Sequence, residues 1–301
     1  MTHQPREGGF WAKPPITPTA IIGGLLVGMV AANIWPLLLY KLGAPVAAAI
    51  ELVFLGLYVW WFSGAAPGPW KAQRTDLGRG GRLSGAQWAW GLMAAVCFAA
   101  TVHAAIILVF RFVAFPAAAF HKGYDLAFIP TLSLRWLACV VSALSAGVCE
   151  EMGFRGYIQR PIEKRHGATV AIAISSVLFM LLHLNKDWSI FAMTPIVLGA
   201  GVLLGVMARA AGSLVFNMLG HWIMDIGLFA FWWTQIGGTF AQRPIFETGL
   251  DLGFFAECGL FATVLALLLL AISRLARLRG PELSGPRPEA EEREPVGLRR
   301  T

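Results

Sequence analysis

The stretch CEEMGFRGYIQR, residues 149–160, sets Glu150, Glu151 and Arg155 at the end of the apolar run WLACVVSALSAGV. An ionisable side chain within such a run costs about 2.5–3.5 kcal/mol to insert in a bilayer, so it normally faces a bundle interior or a wet cavity. Residues four apart on a helix share a face. Glu151 and Arg155 can therefore form an ion pair, with the acid N-terminal to the base, the favourable order. Glu150 lies about 100° round the helix from Glu151 and can face something else. Further polar groups interrupt other apolar runs: His183 in SSVLFMLLHLN, with Phe179 on the same face; His221 and Asp225, four apart, in NMLGHWIMD; and His103. Glu51 and Glu257 are expected near the ends of their runs.

These groups fall at comparable depths. A turn is expected at KRHG, residues 164–167, with Glu150 and His183 each about 22–24 Å from it along their helices at about 1.5 Å per residue. From a second turn at RAAGS, residues 209–213, His221 lies about 12 Å away and Asp225 about 18 Å. A carboxylate and two imidazoles converging away from water suit two chemistries. Glu150, helped by His183, can take a proton from water while His221 and Asp225 orient groups or stabilise a tetrahedral oxyanion. A bare Asp225 carboxylate would repel an oxyanion, so it needs a proton or acts through His221. Alternatively, Glu150, His183 and His221 hold a zinc ion whose bound water attacks. Both end in hydrolysis of an acyl bond, most naturally a peptide. Taken singly, each feature has a structural reading as well. A Glu–Arg pair can be a staple and a membrane histidine an interhelical hydrogen bond; His103 and Asn217 are assigned that role.

The elements that must position these groups follow from composition. The 301 residues are 57% apolar and 14% charged, with a mean hydropathy of +0.64, against about a quarter charged in soluble domains. Eight runs approach the length of about 20 residues that spans a bilayer: roughly 19–40, 44–63, 88–110, 133–160, 168–186, 189–208, 213–235 and 252–274. The fold class is all-α, a polytopic membrane helix bundle. The expected division is an N-terminal segment over 1–18, a bundle over 19–278 and a disordered tail over 279–301. The formal charge of +7 does not point to nucleic acid. With eight spans, 18 of the 24 Lys and Arg fall on one face, which places both termini in the cytoplasm and brings basic groups to anionic lipid. The N-terminus lacks the pattern of a cleavable signal peptide. Cys97, Cys139, Cys149 and Cys258 lie in or beside apolar runs and are expected to be unpaired.

EEMGFRG, FMLLH and HWIMD, in that order, match EExxxR, FxxxH and HxxxN/D, and over about 133–230 the chain resembles the CPBP family of intramembrane proteases. This family includes the type II CAAX prenyl endopeptidases and the Abi-type bacteriocin-immunity proteins. The resemblance implies an eight-helix bundle around a conical, water-accessible cavity. It also implies a water-activating Glu150, a supporting Glu151–Arg155 pair, His183 and His221 as the motif histidines, Asp225 in the Asn/Asp slot and Phe179 as the motif aromatic. The family is labelled metalloprotease, and a metal-independent glutamate mechanism is also proposed for it. The expected protein is a multi-pass inner (plasma) membrane endopeptidase, CAAX-type in its motifs. It would act near the C-terminus of a membrane-associated or lipidated protein or peptide, with membrane lipids as partners and no nucleic acid. The alternative within the family is a non-catalytic scaffold or bacteriocin-immunity protein. HExxH and GxGD are absent, and no serine in a GxSG setting pairs with a membrane histidine. Other membrane proteases therefore fit less well. A proton-relaying transporter would carry repeats, and none is evident.

Overall fold

A computed structural model describes residues 16–68, 70–117, 126–184, 192–239 and 243–279; the expected disordered tail, except Arg279, which ends the last helix, and most of the N-terminal segment lie outside them. The described residues are helical, with no strand among them. Seven helical stretches are long and apolar enough to cross a membrane by length and composition. The remaining expected span, the fifth in order, is the shorter apolar helix Ala168–Leu182, of 15 residues. The bundle turns apolar side chains outward, Ile22, Leu57, Leu92 and Leu269 among them, as a lipid-facing surface requires.

The first span is α1 (Ile16–Leu25), a π-helical segment (Leu26–Val30) and α2 (Ile34–Leu42). Gly43, at φ 74°, reverses the chain into α3 (Ala44–Phe62), the left-handed backbone that glycine adopts without penalty. A short helix not foreseen in the sequence, α4 (Lys71–Leu77), crosses the connection. Ser84 and Gln87 then form a reciprocal capping box that starts α5 (Gly85–Phe112), satisfying two otherwise orphan amides.

The fourth span is one continuous 35-residue rod: α6 (Leu132–Glu151), a π-helical segment (Met152–Ile158) and α7 (Gln159–His166). At about 1.5 Å per residue it is longer than a bilayer core is thick, so its QRPIEKRH end projects beyond the apolar zone. Gly167 (φ 84°) turns it into α8 (Ala168–Leu182). Then come α9 (Thr194–Ala211), ended by left-handed Gly212, and α10 (Val215–Gly227), prolonged by a third π segment (Leu228–Trp233). The short α11 (Ile245–Thr248) precedes α12 (Leu252–Arg279).

The largest core cluster joins α5, α9, α10 and α12 through Phe98, Ile106, Phe110, Leu204, Phe216 and Leu275. A second seals α6 and the π segment after it against α3 and the middle of the first span, at Val27 and Ala31. The first helix approaches that π segment very closely. A Cβ on Gly153 would lie 2.6 Å from the Gly24 carbonyl oxygen and 2.7 Å from the Gly28 Cα. Backbone atoms cannot move aside as a flexible side chain can, so Gly153→Ala is expected to cost about 1–3 kcal/mol, the usual penalty of overpacking. A lowered unfolding temperature in detergent is the readout; an unchanged one would show that helix 1 rides loosely on the site helix.

Glu51 departs from expectation. It lies within α3 rather than at its end, is fully buried, and accepts a hydrogen bond from the Ser145 hydroxyl at 2.6 Å. Glu257 lies in the first turns of α12 and pairs with Arg111 at 3.3 Å. The four cysteines are free.

Candidate active site

The site is built where α6 passes into its π segment, between α8, α9 and α10. The π turn begins at Met152, directly after the two glutamates. Such one-residue widenings occur preferentially at functional sites, because they re-aim the side chains on either side.

Glu151 is the hub. Its side chain is fully buried and one oxygen accepts from Arg155 Nη1 at 2.8 Å. The same oxygen takes His221 Nδ1 at 2.9 Å, and the other accepts from Asn217 Nδ2 at 3.1 Å. A carboxylate paired with a guanidinium only accepts hydrogen bonds, so the proton of this contact belongs to His221 Nδ1. Glu151 therefore fixes both the tautomer and the tilt of the His221 ring. Arg155 is held in turn by the Gly201 carbonyl at 3.3 Å and lies over the Phe179 ring, 4.5 Å from its centroid, a cation–π contact made away from water.

With Nδ1 so engaged, His221 turns Nε2 toward two more carboxylates, Asp225 Oδ2 at 3.5 Å and Glu150 Oε2 at 4.0 Å. His103, the other histidine near α10, bonds the Met224 carbonyl at 3.1 Å from α5, the interhelical role expected of it. Phe179 spaces the motif histidines, with its centroid 4.5 Å from the His183 ring and 6.0 Å from the His221 ring. His183 has Nδ1 at 2.7 Å from the carbonyl oxygen of Phe179. All five of Glu150, Phe179, His183, His221 and Asp225 line one cavity of about 160 Å³, whose remaining wall is mainly apolar and comes largely from α5, α9 and the π segment after α10. That is room for a few waters. Glu151 and Arg155 stand behind this wall and support it.

The cavity lies at one set of helix ends. His183 and Leu184, just past α8, and Met193 and Thr194, at the start of α9, all border it. The opposite ends of the same helices meet the basic face, where Arg209 at the end of α9 pairs with Glu163 of α7 at 2.8 Å.

Two assignments from the sequence change. The carboxylate that orients His221 through Nδ1 is Glu151, whereas Asp225 approaches the other nitrogen. Asn217, assigned a plain interhelical bond, belongs to the site. Its amide spans Glu151 and the Leu204 carbonyl, the latter at 2.7 Å. The available signal was its position one turn before His221, on the same face of α10. Asn217→Ala would leave a Glu151 oxygen buried without its donor, and a loss of about 1–3 kcal/mol of stability is expected, read by thermal unfolding in detergent. Stability equal to wild type would remove Asn217 from the network.

A zinc ion requires three convergent donors. Among the described residues, no group of three or more His, Cys, Asp or Glu side chains is arranged to hold a metal. His221 engages Nδ1 with Glu151 and His183 engages Nδ1 with the Phe179 carbonyl, which leaves Nε2 as the nitrogen each would offer a metal. As placed, these donors are not gathered around one metal position, and no step below is routed through a metal.

No curated protein and no solved structure matches the chain. The family model of the type II CAAX prenyl endopeptidases, Rce1-like, matches residues 130–227. That stretch, about a third of the chain, runs from the start of α6 to the end of α10 and contains every residue of the Glu150–Glu151–His221 arrangement, so the helices that build this site are the part of the chain that is similar to the type II CAAX prenyl endopeptidases.

Proposed function

We propose that the protein is an intramembrane endopeptidase in which Glu150 activates a water molecule for attack on a peptide carbonyl. The observation that carries this reading is the His221 ring, locked by Glu151 on one side and turned toward Glu150 and Asp225 on the other, in an otherwise apolar cavity. Glu150 takes a proton from water as the oxygen bonds to the carbonyl carbon. The tetrahedral oxyanion is met by Nε2–H of His221 in its imidazolium form, the positive charge that the Glu151 carboxylate stabilises. Asp225 acts through that same nitrogen, or as a donor when protonated. His183 assists in placing the water. When the carbon–nitrogen bond breaks, Glu150 returns its proton to the leaving amine, which balances the hydrolysis.

The apolar wall supports a substrate that is itself membrane-associated or lipidated, cut near its C-terminus. The concentration of Lys and Arg at one set of helix ends supports a cytoplasmic location for that face and for both termini. The cavity then lies in the other half of the membrane, which favours peptides and membrane-protein tails that reach that half.

The test is cleavage of a quenched peptide library, including prenylated CAAX peptides, by the full-length protein in liposomes, with and without chelator and zinc add-back. Cleavage that survives chelation is the expected result. Cleavage abolished by chelator and restored by zinc would overturn the bare-glutamate mechanism and leave the protease. No cleavage of any member would favour a scaffold or immunity role for the same bundle.

A further inference from the structure

A second pocket, of about 340 Å³, opens at the basic end of the bundle, far from the Glu150 cavity. It is bounded by the loop between α4 and α5, Arg160 of α7, the end of α9 and the last turn of α12. Four arginines line it, Arg79, Arg82, Arg160 and Arg279, with Asp76 the one acid in the wall. Two more cations stand close behind. Lys164 pairs with Asp76, and Arg209 shares Glu163 with Arg79. Against these six cations the described residues of the cluster supply two carboxylates, Asp76 and Glu163. An excess of four positive charges remains around a concave, polar-walled space.

The wall is built rather than incidental. Arg79 adopts a left-handed backbone, φ 50°, that few non-glycine residues tolerate. It is 4% exposed, with Nη2 at 2.6 Å from Glu163 and Nε donating to the Arg155 carbonyl at 3.3 Å. Its remaining nitrogen, Nη1, is buried with no hydrogen-bond partner, and an unmet donor on a buried guanidinium is a costly feature to keep. Arg82 is exposed at the rim.

We infer that this pocket binds a phosphate group, either the headgroup phosphate of an anionic phospholipid or free phosphate. Guanidinium forks match phosphate oxygens in pairs, and basic pockets between membrane helices at the headgroup level take anionic headgroups. Asp76 does not oppose this. Burial disfavours its charge, but the contacts with Lys164 and Arg160 outweigh that and hold its carboxyl below the ordinary range. It serves to splay those cations around the opening.

The experiment reconstitutes the full-length protein in phosphatidylcholine nanodiscs with and without phosphatidylglycerol. Co-purifying lipid is measured by mass spectrometry, and inorganic phosphate is titrated separately against the phosphatidylcholine sample by its effect on thermal unfolding. Arg82→Gln is the primary variant, because Arg79 also anchors Glu163 and its loss could prevent folding; Arg82→Lys is the charge-keeping control. A headgroup site predicts selective retention of phosphatidylglycerol, reduced about fivefold in Arg82→Gln and largely kept in Arg82→Lys, with no response to inorganic phosphate. A free-phosphate site predicts stabilisation by inorganic phosphate that Arg82→Gln weakens by a similar factor. Equal retention of both lipids with no phosphate response overturns the proposal, as does a selectivity that Arg82→Gln leaves unchanged.

Discussion

Glu150→Gln is expected to lower peptide cleavage by about a thousandfold, the scale of losing a general base, while the purified protein unfolds at the wild-type temperature. The separation of effects follows from the two neighbouring carboxylates. Glu151 is fully enclosed and tied to Arg155, His221 and Asn217. Glu150 retains 12% side-chain exposure on the cavity and stands 4.0 Å from the His221 ring, beyond direct hydrogen bonding. Glutamine keeps its shape and can still form hydrogen bonds, but it has no basic oxygen to receive a proton. Activity measured in liposomes beside a melting curve in detergent reads both. Retained cleavage would remove Glu150 from the chemistry, and a large drop in unfolding temperature would recast it as part of the structural core.

The helices were legible because a bilayer leaves a chain few choices. Backbone groups must be satisfied within each segment, so long apolar runs became helices near their expected places. Where the reading fell short, short-range geometry was responsible. The fifth run yields only 15 described helical residues, because α8 stops at the cavity. The α4 helix has too little apolar periodicity to announce itself between two spans. At the site, spacing alone revealed that Glu151 and Arg155 could pair and that His221 and Asp225 share a face. It could not reveal that the His221 ring turns one nitrogen to Glu151 on α6. That contact depends on the crossing of α6 and α10, made close by Gly147, where a Cβ would lie 3.0 Å from the Trp222 backbone nitrogen. Asn217 was undervalued for the same reason: a lone polar residue in a membrane helix discloses its partner only once neighbouring helices are docked. The basic pocket was invisible as a pocket. Its four arginines come from three separate segments, and the sequence registers them only as a charge bias toward one face.

Arg155→Met is expected to be the most destabilising single change in the bundle, by about 3–5 kcal/mol. The guanidinium is fully buried, with its contacts to Glu151, to the Gly201 carbonyl and to the Phe179 ring all inside protein. Methionine fills much of the same space. The loss therefore comes mainly from the carboxylate left behind without its partner, not from a cavity. That distinction is testable. In the double variant Glu151→Gln/Arg155→Met no charge is stranded, and most of the lost stability should return. The glutamine oxygen can still accept from His221 Nδ1 or Asn217, so the ring stays in place. A neutral amide, however, gives little support to an imidazolium. The double variant should therefore fold and still cleave poorly, with the loss in kcat rather than in KM. Recovery of folding and activity together would make the Glu151–Arg155 pair a staple alone. Failure of the double variant to recover stability would shift the weight of Arg155 from the ion pair to its contacts with Gly201 and Phe179.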